Sequence, residues 1–132
     1  MTGSPICGDN TTWMQGAYER CYNITGNPVC GPNVTSLAWT YNHCSNLTGP
    51  PVCGNKVTAM PLAYHNTRVS GDAACGPNVT NMNQTYRNCK NLTGNAACGP
   101  KVTDLYWAYA DCSNLTGAAP IGDNVVEACA AY

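Results

Sequence analysis

The sequence contains no phenylalanine and little charge: six Lys or Arg against seven Asp or Glu, 10% of its 132 residues, with a net charge of −1. Charge so sparse and balanced argues against a nucleic acid or an anionic membrane surface held by counterion release. No run of 18 apolar residues occurs, so no membrane insertion is expected. The opening MTGSPICGDN has no basic segment followed by an apolar one, so no signal peptide is expected in this chain. What remains is 44% apolar residues, enough to build a core.

That apolar content is distributed as a repeat. The stretch CGPNVTNMNQTYRNCKNLTGNAA at 75–97 recurs from Cys7, Cys30, Cys53 and Cys98, and a broken copy runs from Ile121 to Tyr132. The steps are 23, 23, 22, 23 and 23 residues. A fixed period in this range is the signature of a solenoid or array. The expected organisation is one solenoid over 1–132, with repeats 7–29, 30–52, 53–74, 75–97, 98–120 and a partial 121–132. Both termini fall in mid-motif, which is the pattern of a piece of a longer array.

Ten cysteines in a small chain suggest a disulfide scaffold, but their columns argue otherwise. Cys7, Cys30, Cys53, Cys75 and Cys98 open the repeats, and Cys21, Cys44, Cys89 and Cys112 lie fourteen residues later. If the two columns were bonded, a loss in one would be matched in the other. Thr67 replaces the later cysteine of the third repeat while Cys53 and Cys75 remain, and Ile121 replaces the opening cysteine of the sixth while Cys112 remains. Exchange with Thr and Ile is the behaviour of a small buried residue. Stacked, buried free thiols are the expectation.

The consensus is C-G-P-N-V-T-x-[LM]-x-x-[AT]-Y-x-x-C-x-N-L-T-G-x-x-x. Val-Thr-x-Leu/Met (34–37, 79–82, 102–105) alternates as a short strand does, with Val and Leu/Met inward. Asn-Leu-Thr-Gly (46–49, 91–94, 114–117) reads as a second strand. Between them Tyr and Cys stand three apart, which fits one turn of α or 3-10 helix with both on the inner side. Tyr18, Tyr41, Tyr64, Tyr86, Tyr109 and Tyr132 fill one invariant column. A sugar-binding aromatic strip is one reading of it, but packing between copies is the better one, with each hydroxyl reaching a partner. Glycines mark two corners per repeat, where the chain needs positive φ or close approach. The third repeat is a residue short and carries Pro61, so a kink or widened turn is expected over 61–70.

The string N-V-T-N-M-x-x-T-Y-x-x-C-x-N-L-T at 78–93 resembles the BspA-type leucine-rich repeat, with Tyr in the aromatic place usually held by Phe. The likeness extends over 7–132. It implies a right-handed leucine-rich-repeat-like stack, with short parallel strands and one short α or 3-10 turn per 23-residue repeat. It also implies surface or adhesive roles in bacteria, their phages and some protists, and supplies no catalytic residues.

Other chemistry is sparse. GNAACGPKVT at 94–103 superficially matches a phosphate-binding loop, but its lysine falls one place late and is Asn33 or Asn78 in other copies. No C-x-x-C occurs and neither His43 nor His65 recurs in its column, so no metal and no cofactor are expected. The carboxylates show no pairing for acid–base work, so an enzyme is not expected. Asn-x-Ser/Thr sequons mostly restate the Asn-Val-Thr and Asn-Leu-Thr columns, where Asn serves to cap turns.

Comparing copies separates scaffold from free positions. The free columns run through Trp13 and Ser36; Ala38 and Tyr106; Trp39 and Trp107; His65 and Arg87; His43 and Asp111. In a stack each column becomes a stripe. Trp39, Tyr106 and Trp107, with Arg87 and His43, are the candidate ligand-binding residues, since aromatics and Arg dominate binding hot spots. The expected function is a non-enzymatic, surface-displayed module for adhesion or for recognition of a protein or glycan. Its expected place is extracellular, on the cell surface or exposed on a virion, within a larger assembly. The alternative is a structural repeat protein that associates head to tail into fibres, because open ends of a stack template further pairing. Ice binding by the outward Thr12, Thr35, Thr58, Thr80 and Thr103 is a third, smaller alternative.

Overall fold

A computed structural model describes residues 2–132. Parallel single-residue bridges join Trp13 to Ser36, Ser36 to Ala59, Ala59 to Asn81, Asn81 to Asp104 and Asp104 to Glu127. These residues share one column of successive repeats, so each repeat forms a level lying in register on the next. Levels 1 to 5 are 7–29, 30–52, 53–74, 75–97 and 98–120; level 6 begins at 121.

Among the described residues there is no helix, and no strand longer than one bridged residue. The expected short strands and helical turn are therefore corrected. The reason lies in how the backbone divides its donors. In level 2 the N–H groups of Leu37, Trp39, Tyr41 and His43 donate to the next level, to Ala59, Pro61, Ala63 and His65 carbonyls at 2.9–3.0 Å. The alternate N–H groups of Thr40, Asn42 and Cys44 turn back within the level, to Leu37, Trp39 and Tyr41 carbonyls at 3.0–3.2 Å. A helix would direct every N–H to its own chain and leave none for a neighbour. Here the donors are shared between turns and ladder.

The turns demand a left-handed residue twice per level: Trp39 (φ 54°) and His43 (φ 61°) in level 2, Leu62 (54°) and Asn66 (57°) in level 3, Gln84 (51°) and Asn88 (59°) in level 4. Positive φ at the third position is the mark of a type II turn. For a non-glycine residue it costs on the order of 1–2 kcal/mol, offset by the ladder bonds and the core. The Leu/Met, Ala/Thr, Tyr and Cys columns stand at i, i+3, i+4 and i+7, the helical period. Tandem turns nevertheless place them all inside: Leu37, Thr40, Tyr41 and Cys44 are 0% exposed.

The core is a set of stacked columns. Val34, Val57, Val79 and Val102 form one, Leu37, Met60, Met82 and Leu105 another, and Leu47, Val69 and Leu92 a third, all fully buried. The tyrosine rings stack from Tyr18 to Tyr132 at centroid separations of 5.3–5.5 Å, near parallel throughout. Each hydroxyl closes on the backbone twelve residues upstream. Tyr41 donates to the Val29 carbonyl at 2.7 Å and accepts the Val29 N–H at 3.0 Å. Tyr64 treats Val52 in the same way, Tyr86 treats Ala74 and Tyr109 treats Ala97.

All ten cysteines are free thiols. In the later column Cys44, Cys89 and Cys112 are buried and donate to Tyr18, Tyr64 and Tyr86 carbonyls at 2.9 Å, while Cys21 of level 1 is half-buried. The opening column, expected to be buried too, is only half-buried from Cys7 to Cys98. Burial pushes the Cys44, Cys53 and Cys89 thiols from 9.0 up to about 12, and the Tyr64, Tyr86 and Tyr109 phenols well above 10.0. The unfolded chain loses these protons near the ordinary values, so above pH 9 the folded state binds more protons than the unfolded one. The stabilisation is whole below pH 9 and drains away as pH rises toward about 12. Alkaline titration should therefore give cooperative unfolding in that window, with Tyr41, Tyr64, Tyr86 and Tyr109 ionising together with the loss of circular dichroism. Ionisation of more than four of the eight tyrosines well ahead of unfolding would contradict the buried stack.

The kink expected over 61–70 is absent at Pro61. Its column uses no ladder donor: Asn83 and Tyr106, the equivalents, direct their N–H groups to Asn81 and Asp104 side chains. Proline loses nothing there, and its carbonyl still accepts the Trp39 N–H at 2.9 Å. The missing residue is absorbed at 67–69 instead. The turn that closes Cys44 to Leu47 and Cys89 to Leu92 has no counterpart, and the Arg68 N–H bonds to the Leu47 carbonyl at 3.1 Å. Ser70 then regains register through Gly49 at 3.0 Å. The result is a notch on one side of level 3.

Candidate functional site

Since the inner columns are occupied by core, function falls to the residues the turns turn outward. Left-handed backbone at the Trp39 and His43 columns directs two adjacent stripes to the same edge of the stack. Along that edge side chains of neighbouring levels meet at the ladder spacing, about 4.8 Å. Levels 4 and 5 hold the densest cluster there. The Tyr106 and Trp107 rings are stacked, with centroids 5.6 Å apart and planes 11° apart. The Arg87 guanidinium lies 4.0 Å over the Trp107 ring, a cation–π contact of about 0.5–2 kcal/mol. Arg87 also donates to the Gln84 side chain at 2.9 Å, Gln84 to Asn83 at 3.2 Å, and Asn83 to Asp104 at 3.4 Å. Aromatic plane, cation and amides are thus fixed before any ligand arrives.

Levels 1 to 4 carry a polar seam beside it. His43 and His65 meet edge to face at 5.1 Å. Asn42 donates to Glu19 at 3.0 Å and its carbonyl oxygen meets His65 Nδ1 at 3.0 Å. The Asn66 amide reaches His65 Nε2 at 3.0 Å, and Asn88 donates to Asn66 Oδ1. Desolvation first, then the charges of His43 and Arg87, lower the His65 pKa from 6.5 to about 4. His65 is therefore neutral at physiological pH and serves as a hydrogen-bonding group rather than a cation.

Of the five residues picked from the sequence, Tyr106, Trp107 and Arg87 are brought together. His43 joins the neighbouring seam. Trp39, 39% exposed, shares the Trp107 column but lies three levels away, about 14 Å at the ladder spacing. Column comparison placed Gln84, Asn66 and Asn88 in free columns without picking them as site residues, although Gln84 braces Arg87 and the two asparagines brace the seam. Their signal was present: Asn and Asp tolerate left-handed backbone better than other non-glycine residues, and the His43 column contains Asn66, Asn88 and Asp111.

Four of the sequon asparagines are committed to the scaffold. Asn33 and Asn78 donate to the carbonyls of Asp9 and Asn55 on the preceding level at 2.8–2.9 Å, and Asn46 and Asn114 to those of Tyr22 and Lys90 at 2.7–2.8 Å. The threonine hydroxyls of 35, 58, 80 and 103 likewise donate to the preceding threonine carbonyl at 3.0–3.2 Å. Among the described residues no three His, Cys, Asp or Glu gather as a metal site, and no helix is long and apolar enough to cross a membrane.

No protein-family model, curated protein or solved structure matches the chain.

Proposed function

We propose that this chain is a non-enzymatic recognition module of a right-handed, leucine-rich-repeat-like solenoid, displayed on a surface as part of a larger assembly. It binds a protein or glycan ligand along the edge formed by its outward columns. The observation that carries this reading is the preassembled Tyr106–Trp107–Arg87 cluster. Every scaffold column is used for core or backbone bonding, while this edge concentrates the residue types that dominate binding hot spots. Rigid aromatics lose little entropy on binding, and a guanidinium already held over an indole needs no further ordering.

The test is replacement of Trp39, Tyr106 and Trp107 together by Ala, followed by glycan and surface-protein arrays beside the parent chain. A hot-spot aromatic contributes about 2 kcal/mol or more, so any ligand of the parent should weaken by at least about 30-fold. The variant should stay folded with a somewhat lower unfolding transition, because Tyr106 and Trp107 are half-buried and their mutual stacking and the Arg87 contact are lost. Unchanged binding of a ligand captured by the parent would remove this edge as the binding surface.

A further inference from the structure

The notch in level 3 has features that a mere packing defect does not require. Three of the chain's six basic residues, Arg68, Arg87 and Lys90, line it. It consists of an open groove of about 340 Å³ at Arg68 and Lys90, continuous through Asn66 and Asn88 with a wider one of about 710 Å³ reaching Arg87 and Asp111. The floor is preorganised: Asn66 and Asn88 both stand on left-handed backbone and are bonded to one another. Asn91 lines the groove, whereas its equivalents Asn46 and Asn114 are tied to the level before.

We propose that this groove binds an acidic saccharide, a sugar unit bearing a carboxylate or sulfate group, which deepens the recognition reading above and rests on it. Arg68 and Lys90 take the anionic group, as paired cations take an oxyanion. Asn66, its amide hydrogens held by His43 and His65, braces Asn88, whose second amide N–H, with the Asn91 amide, takes ring and hydroxyl oxygens. Asp111, the single carboxylate on the rim, decides between a sugar and a bare anion: it repels an oxyanion but accepts hydrogen bonds from hydroxyl groups. A polyanion such as nucleic acid is disfavoured by a chain of net charge −1 with three clustered cations. From the groove, a longer chain of sugars runs past Arg87 onto the Trp107 and Tyr106 rings.

The proposal is tested by titrating isotope-labelled chain with a heparin-derived disaccharide, sialyllactose, digalacturonate, lactose and sodium sulfate, each at low and higher salt. At least one acidic sugar should shift the side-chain amides of Asn66, Asn88 and Asn91, and should bind more weakly as salt rises. Arg68→Gln with Lys90→Gln should weaken it about tenfold or more. An asparagine inserted after Arg68, giving level 3 the length of its neighbours, should fill the notch and remove binding while the unfolding transition is kept. Silence from all three acidic sugars overturns the proposal. So does lactose or sulfate binding as tightly as the best acidic sugar, or undiminished binding by the double variant or the insertion. An array ligand lost on replacing Trp39, Tyr106 and Trp107 but indifferent to Arg68→Gln/Lys90→Gln would overturn the groove and leave the recognition reading standing.

Discussion

Tyr86→Ala is expected to destabilise the chain by about 5 kcal/mol or more, enough to unfold a domain whose whole stability falls near 5–15 kcal/mol. The ring is 0% exposed and is sandwiched between Tyr64 at 5.4 Å and Tyr109 at 5.3 Å. Truncating a buried aromatic typically costs about 3–5 kcal/mol, because the cavity does not close. Ladder bonds on both sides hold the level spacing here, so collapse is resisted. The hydroxyl adds a second loss. It holds both the N–H and the carbonyl of Ala74, and each group left without a partner costs about 1–3 kcal/mol. Tyr86→Phe isolates that part, since the ring stack survives, and should cost about 2–4 kcal/mol. Tyr18→Phe should cost less, because its bonds to Ile6 lie exposed to solvent, which can replace the hydroxyl. Urea unfolding of the three variants checks the order Tyr86→Ala, then Tyr86→Phe, then Tyr18→Phe. A Tyr86→Phe variant as stable as the parent would mean that the hydroxyl clamp is not formed.

Much of the interior was legible in the sequence because a repeat tests itself. Each inner column appears five or six times, and a residue retained through Val34, Val57, Val79 and Val102, or through all the tyrosines, identifies itself as core. The backbone path was not legible. Residues at i, i+3, i+4 and i+7 face one way on a helix and face one way on tandem type II turns, so periodicity alone does not separate them. The discriminating feature is the left-handed backbone, and it was half visible. Asn66, Asn88 and Asp111 suit positive φ, but Trp39, Leu62 and Trp107 occupy it with no intrinsic preference, held there by the ladder to the next level. Likewise Pro61 appeared disruptive until the bonding of its column was known. The aromatic and arginine members of the site were picked out as variable outward residues. The one-residue deletion pointed to a kink or widened turn over 61–70, and the space opens within that span, at 67–69, but Arg68 and Lys90, which line it, were not picked out.

Gly76→Ala should destabilise by about 3 kcal/mol, well beyond the usual cost of adding one methyl group. Gly76 is buried with no positive φ, so the requirement is one of space. A Cβ there would lie 2.8 Å from the Gly54 carbonyl oxygen and 3.1 Å from Cys53 Sγ. The carbonyl has nowhere to go, because it accepts the Val57 N–H at 3.1 Å and closes the corner of level 3. Relief has to come from parting levels 3 and 4, which strains the Thr80 N–H to Thr58 carbonyl bond at 2.9 Å. Two comparisons separate this from other glycine effects. Gly71 has φ +80° with nothing within 4 Å of a Cβ, so Gly71→Ala should cost only about 1 kcal/mol of backbone strain. At Gly31 the nearest atom is Cys7 Sγ at 2.7 Å, with the Gly8 carbonyl farther off at 3.2 Å. Adding Cys7→Ala should therefore recover much of the Gly31→Ala loss, while Cys53→Ala should recover little of the Gly76→Ala loss, because the carbonyl remains. Thermal unfolding of the two double variants beside their single variants measures this, and equal rescue at both sites would refute the backbone contact as the cause.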